Sequence, residues 1–232
     1  MPAHRTEAAT RQPDSPAAPM TSGRPVRVHV EHGRHETAGE QRPAEIVTPR
    51  LRLRPLGTSD REAFIAAVER SHDHLEPFLP LAGPDRPASE IFDRQLALTQ
   101  EGDATGKAFR RIAIETETGR IAGAFNLIVI RRGLEMEADT SVWLADGFTG
   151  KGLAAEGFAA LLSYSFADLP DGLGLHRIDG FIDPRNTPSK SLASRLGFEP
   201  IDGAETHLTV GERWSLHERW SLTIDRWLRD FG

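Results

Sequence analysis

Residues 146–156 read Asp146-Gly147-Phe148-Thr149-Gly150-Lys151-Gly152-Leu153-Ala154-Ala155-Glu156. Downstream, Phe158, Leu161, Leu162, Ser165 and Leu169 fall on one side of a helix predicted from about Gly152 to Asp168. Upstream lie three strand-like segments, Phe109–Glu115, Ile121–Arg131 and Leu134–Leu144, separated by the turns Glu117-Thr118-Gly119-Arg120 and Arg132-Gly133. The glycine stretch therefore carries the chain from the last strand of an antiparallel meander into a helix. Small residues let backbone approach a ligand closely, and the first N–H groups of a helix have no intrahelical partner. Together they suit a phosphate or diphosphate.

Two phosphate motifs fail on detail. A Walker A loop needs four residues between its first Gly and Gly-Lys, then Ser or Thr; here Gly152 follows Lys151. Gly150-x-Gly152-x-x-Ala155 matches a dinucleotide-binding fingerprint, but that fingerprint opens a parallel βαβ unit. About twenty residues further on, where an acidic ribose ligand belongs, stands Gly174-Leu175-His176.

Outward from the meander, Leu51, Leu53 and Pro55 alternate with Arg50, Arg52 and Arg54 as in a half-buried strand. Thr58 or Ser59 is placed to cap a helix bearing Phe64, Ile65 and Val68, and a second helix is predicted from Ser89 to Gln100. After the glycine turn and its helix come a strand over His176–Ile182, a helix over Asn186–Leu196, and strands near Ile201–Val210 and His217–Ile224. The order βαα–βββ–α–β–α–ββ is neither regular βαβ alternation nor all-β. It predicts an α/β fold: a mixed, mostly antiparallel sheet with helices on both faces.

The 232-residue chain is 38% hydrophobic and 27% charged, a globular balance for one domain with an appendage. It has no cysteine, which excludes disulfides, thiolate metal sites and a cysteine nucleophile. A net charge of −6 argues against phosphate-driven nucleic-acid binding, and no apolar run has membrane-spanning length. A cytoplasmic protein is expected, free of membrane and nucleic acid, as a monomer or homodimer. Residues 1–44 lack Leu, Ile, Phe, Trp and Tyr yet hold six of the sixteen prolines, so a disordered arm is expected before a domain over 45–232. Val26, Val28 and Val30 could form an accessory strand within it, and no metal site is expected from His29, His32 and His35.

The second informative stretch is Arg177-Ile178-Asp179-Gly180-Phe181-Ile182-Asp183-Pro184-Arg185-Asn186-Thr187-Pro188-Ser189, whose following helix closes Arg195-Leu196-Gly197-Phe198-Glu199. Asn186 is a good N-cap, and Gly197 a good helix stop. With Ala138-Asp139-Thr140-Ser141-Val142-Trp143-Leu144, the glycine turn and Thr48-Pro49-Arg50-Leu51-Arg52-Leu53-Arg54, it resembles the RimJ/RimL type of GNAT N-acetyltransferase over about residues 45–225. The resemblance implies the GNAT acyl-CoA fold and acetyl-CoA as co-substrate, with no metal. The acceptor it implies is a primary amine, a protein N-terminal α-amine such as that of a ribosomal protein. A small-molecule amine acetyltransferase and a catalytically silent acyl-CoA-binding module are the alternatives.

It also implies site residues. Thr149, Gly150, Lys151, Gly152, Leu153 and Ala154 would face the diphosphate, although Thr149 stands where the family has Arg or Gln. Backbone around Trp143, Leu144 and Ala145 would meet the acetyl oxygen and pantetheine, with Asn186 and Ser189 facing the same arm. The family's tyrosine acid is replaced by Ala193, leaving Ser189 as the candidate partner of the leaving sulfur. Glu135, Glu137, Asp139, Ser141 and Trp143 share one strand parity. That face is either a solvated one or an acceptor surface in which Asp139 is the base and Glu135, Glu137 and Ser141 contact the amine. His72-Asp73-His74 is a further candidate for substrate contact, and Trp214, Trp220 and Trp227 are read as packing.

Overall fold

A computed structural model describes residues 29–32, 43–79, 81, 86–211 and 213–231. The strands are β1 (His29–His32), β2 (Pro43–Val47), β3 (Leu51–Arg54), β4 (Phe109–Glu115), β5 (Ile121–Arg131), β6 (Glu137–Leu144), β7 (Arg177–Ile182), β8 (Glu199–Pro200), β9 (Thr206–Val210) and β10 (Arg213–Thr223). The helices are α1 (Arg61–Arg70), α2 (His72–Leu75), α3 (Ala88–Thr105), α4 (Leu153–Phe166), α5 (Thr187–Arg195) and α6 (Ile224–Phe231). Among the described residues, ten strands form one sheet in the order β1-β2-β3-β4-β5-β6-β7-β10-β8, with β9 paired to β10. Every pairing is antiparallel except β6 with β7, which α4 connects.

The two faces are covered by different helices. Phe125 and Val142 are cross-strand partners, and a Cβ on Gly157 of α4 would lie 2.5 Å from the Phe125 ring. On the opposite face, Trp143 meets Phe64 of α1 edge-on at 6.3 Å, and Phe64 meets Phe92 of α3 at 5.8 Å. Tyr164 is buried against Phe109 at 5.1 Å.

Several elements differ from the sequence reading for local reasons. The α1 entry is not capped by Thr58 or Ser59: the Asp60 carboxylate accepts from the Gly57 N–H at 2.8 Å and from Arg54 at 2.7 Å. Helix α3 runs on to Thr105 and stops at left-handed Gly106. β6 begins at Glu137, because Met136 adopts φ 47° and Leu134 is fully exposed in the turn before it. Helix α6 follows β10 directly, with Trp227 buried against Phe166 and Phe231. Trp220 is buried, but Trp214 is 70% exposed and stacks on His207. Within the arm, His29–His32 pairs with β2 as a short strand, and Pro43 and Ala44 already belong to β2; the rest of the arm, His35 included, lies outside the described residues.

Candidate active site

The site begins where β6 and β7 part. Their parallel register runs Glu137↔Arg177, Ala138↔Ile178, Asp139↔Asp179 and Thr140↔Gly180, and then ends while both strands continue. Beyond Thr140 the outer edge of β6 faces an opening. On its other edge β6 stays paired to β5, whose register slips between Leu127 and Val129 opposite Thr140 and Asp139. The bulge therefore sits in β5 rather than in β6.

Hydrogen-bond alternation decides which amides face the opening. The Ala145 N–H donates to Ala122 O at 2.8 Å, so Ala145 opposes Ala122 as a bonded pair. Every second residue of β6, Trp143 included, then bonds β5, and Val142 and Leu144 turn their backbone groups outward. Of the three amides implied by resemblance, Leu144 alone has an N–H directed to the opening; those of Trp143 and Ala145 are committed to β5. The outward Leu144 carbonyl is met by His74 Nε2 at 2.9 Å, which brings the His72-Asp73-His74 stretch to the lip of the site. Gly123 permits this geometry: a Cβ there would lie 2.1 Å from Trp143 O.

The glycine turn follows at once. Gly147, Gly150 and Gly152 all have positive φ, and a Cβ added at Gly147 or Gly150 would meet nothing within 4 Å. Backbone there is bare on its outer side. Gly152 is the left-handed N-cap of α4 and offers no side-chain cap, so the N–H groups of Leu153 and Ala154 lack intrahelical partners. The Leu153 side chain is buried and anchors the turn. Thr149 and Lys151 are exposed. The buried Phe148 ring carries Arg120 at 5.2 Å and Lys151 at 5.6 Å, so two cations border the turn. This cradle fits the diphosphate of an acyl-CoA through N–H donors, helix polarity and positive charge.

A clamp missed in the sequence fixes the cradle. Glu156, in the first turn of α4, accepts from Thr48 Oγ1 at 2.7 Å, Arg50 N at 2.9 Å and Arg50 Nε at 2.6 Å. Arg50 also donates to the Lys151 carbonyl at 2.9 Å. Glu156→Ala is expected to lose about 2–3 kcal/mol, as befits charge-assisted bonds to a partly exposed carboxylate. It should raise the dissociation constant for CoA more than it lowers kcat; calorimetry and steady-state kinetics separate the two.

The acidic strand face belongs to a network of ion pairs. Arg131 holds Asp139 through both oxygens, at 2.5 and 3.1 Å, and Glu137 at 2.7 Å. Arg177 pairs with Glu137 and, at 3.3 Å, with Asp179; Arg219 donates to Asp179 at 2.5 Å. The Asp139 carboxylate thus has both oxygens engaged, and Glu137 is buried between two arginines. Glu135 lies outside β6, exposed and 3.5 Å from Arg131. Ser141, by contrast, borders a cavity on the α1–α3 side.

Across the opening, Asn186 caps α5: its Oδ1 accepts from the Ser189 N–H at 3.1 Å. Asp183, at the end of β7, accepts from Arg185 at 2.7 and 3.0 Å and from its backbone N–H at 2.8 Å. These bonds bring the Asp183 pKa down to about 2 and pin the segment leading to Asn186.

Comparison with known proteins agrees with this geometry. The family model described as Acetyltransferase (GNAT) domain matches residues 50–199. The chain is 26% identical over 185 residues to the [Ribosomal protein uS5]-alanine N-acetyltransferase of Escherichia coli, covering 78% of this chain and 92% of that protein. It is 24% identical over 166 residues to the Probable N-acetyltransferase YjcK of Bacillus subtilis, covering 72% and 90%. Mycobacterium smegmatis RimJ in complex with CoA-disulfide superposes with a TM-score of 0.65 at 23% identity, over 87% of this chain and 86% of that one. Parted strands, a bare glycine turn and the matched sequence model converge: the chain belongs to the GNAT acetyltransferase family, with relatives of the RimJ/RimL type, and is an acetyl-CoA-dependent acyltransferase.

Proposed function

We propose that the protein transfers the acetyl group of acetyl-CoA to a protein N-terminal α-amine. The observation that carries this reading is the parting of β6 and β7 after Thr140 and Gly180, directly beside the glycine turn. The uS5-alanine specificity of the E. coli relative supports an α-amine acceptor. The N–H groups of Gly150, Gly152, Leu153 and Ala154 would hold the diphosphate, with Arg120 and Lys151 supplying charge where Thr149 does not. Leu144 N–H would receive the thioester oxygen as negative charge builds on it. The Asn186 amide nitrogen, left free by the cap, and Ser189 would line the pantetheine arm, with the Ser189 hydroxyl facing the leaving sulfur.

The amine nitrogen forms its bond to the acetyl carbon as the carbon–sulfur bond breaks, and the proton the amine sheds passes through solvent to the thiolate. Asp139, gripped by Arg131, acts as a positioning residue that fixes β6 ahead of the opening. An α-amine with a pKa of about 7.7–8.0 keeps an appreciable neutral fraction near neutral pH and needs modest help to react. The kcat/KM for a peptide should therefore rise with pH through about 8 and then level off, because the neutral amine is the nucleophile. A bell-shaped profile with an acidic limb near pH 5–6 would instead point to a dedicated carboxylate base. Acetyl-CoA binding by calorimetry, followed by mass spectrometry of a free-amine peptide library, tests the reading. Absence of product across peptides and small amines, with binding intact, would favour a silent module.

A further inference from the structure

The cavity on the α1–α3 face has a floor made of one cross-strand row. Arg110 of β4 pairs in register with Asn126 of β5, and Asn126 with Ser141 of β6. Phe64 and Gln95 wall it from the helices, and Trp143 closes the side toward the opening. Ser141 directly follows the last β6–β7 pair and Trp143 lies two residues further along, so the cavity adjoins the place where the amine must arrive.

The polar groups of this floor are donors. The buried Arg110 Nε has no hydrogen-bond partner, and no carboxylate pairs with this guanidinium among the described residues. Asn126 Oδ1 is occupied by the Arg111 N–H at 3.2 Å, which leaves its NH2 group to the cavity. Ser141 adds a hydroxyl. Among the described residues, no acidic side chain lines the cavity. Burial and the neighbouring Arg94 cation lower the Arg110 pKa, as expected where no anion compensates the charge. A buried donor set of this kind is completed by an oxyanion.

Resting on the acetyl-transfer reading above, we infer that this cavity selects amine acceptors carrying a carboxylate or phosphate, held by Arg110, Asn126 and Ser141. Strands about 4.8 Å apart put β4 about 10 Å from β6, so the acidic group lies within about 10 Å of the reacting amine. A peptide with an acidic side chain beside its N-terminal residue has that spacing. A polycation is disfavoured because it would bring a second positive charge against Arg110.

The test uses matched free-amine peptides that differ at the second position: Glu, phosphoserine, Gln or Lys. Their dissociation constants are measured by calorimetry on the CoA-loaded full chain, which needs no turnover. The acidic peptides should bind about tenfold or more tightly than the Gln peptide, and the Lys peptide more weakly still. The Glu and phosphoserine arms show which oxyanion the site prefers. Arg110→Gln should bring Glu and Gln peptides to within about twofold, and Ser141→Ala provides a second, milder variant should Arg110→Gln fail to fold. Equal wild-type affinities for Glu, Gln and Lys peptides, or an undiminished preference in folded Arg110→Gln, would overturn the inference. Turnover of the same peptides is scored separately: acidic preference in binding without product leaves the pocket assignment standing and removes the acetyl-transfer reading.

Discussion

Asp179→Ala should destabilise the protein by about 3 kcal/mol, the low end for a broken buried pair because Arg219 retains some solvent. Asp179 is fully buried and accepts from Arg219 and Arg177 through a single oxygen. Arg177 keeps Glu137 when the carboxylate is removed, but Arg219 loses the partner of its Nη2, and its Nε is already buried without one. The damage falls one residue before the point where β6 and β7 separate, so CoA affinity should fall with stability. Asp179→Ala/Arg219→Met removes both charges and should recover much of the loss, giving a coupling energy of about 1–3 kcal/mol in a double-mutant cycle. Urea unfolding of the four proteins measures it. Additive losses would show that the pair contributes nothing to holding this seam.

Gly123→Ala is expected to be worse. Its φ of 152° and a Cβ lying 2.1 Å from Trp143 O and 2.8 Å from Leu144 Cα leave no room for a methyl group. Overpacking at about 1–3 kcal/mol and backbone strain of similar size sum to about 2–6 kcal/mol, a large share of the roughly 5–15 kcal/mol that holds a domain together. The strain also acts on the backbone that presents the Leu144 N–H. A displacement of about 1 Å there should lower kcat about 100-fold in whatever fraction folds. Thermal unfolding and active-site-titrated kinetics check the two effects. A variant with wild-type melting would show that β5 and β6 can separate at this point without penalty.

The meander was legible because each strand is bounded by turn chemistry: β4 and β5 fall where alternation and the Gly119 turn put them. The glycine turn was legible for the same reason, since positive φ at Gly150 and Gly152 is a local demand. Helix α6 was not. Ile224, Trp227, Leu228 and Phe231 carry helical spacing, but only eight residues express it, and Ile224 prolongs an apolar strand without a break. Glu137 and Asp139 lie on β6 with the expected parity, whereas Glu135 falls in the turn before it, and the chemistry of the pair depends on Arg131, Arg177 and Arg219. Those arrive from three other strands, and no periodicity along one segment reports who sits across from it. Arg110 was hidden likewise: its significance rests on the absence of a counter-charge, which sequence spacing cannot display.

Among the described residues, β6 and β7 form the one parallel ladder of the sheet. Only four residue pairs join β1–β6 to β7–β10 along the sheet, and each flanking half has its own antiparallel pairings. Amides of Ala138–Thr140 and Ile178–Gly180 should exchange with solvent sooner than those of the longer β5–β6 ladder, a difference that amide hydrogen exchange reads directly.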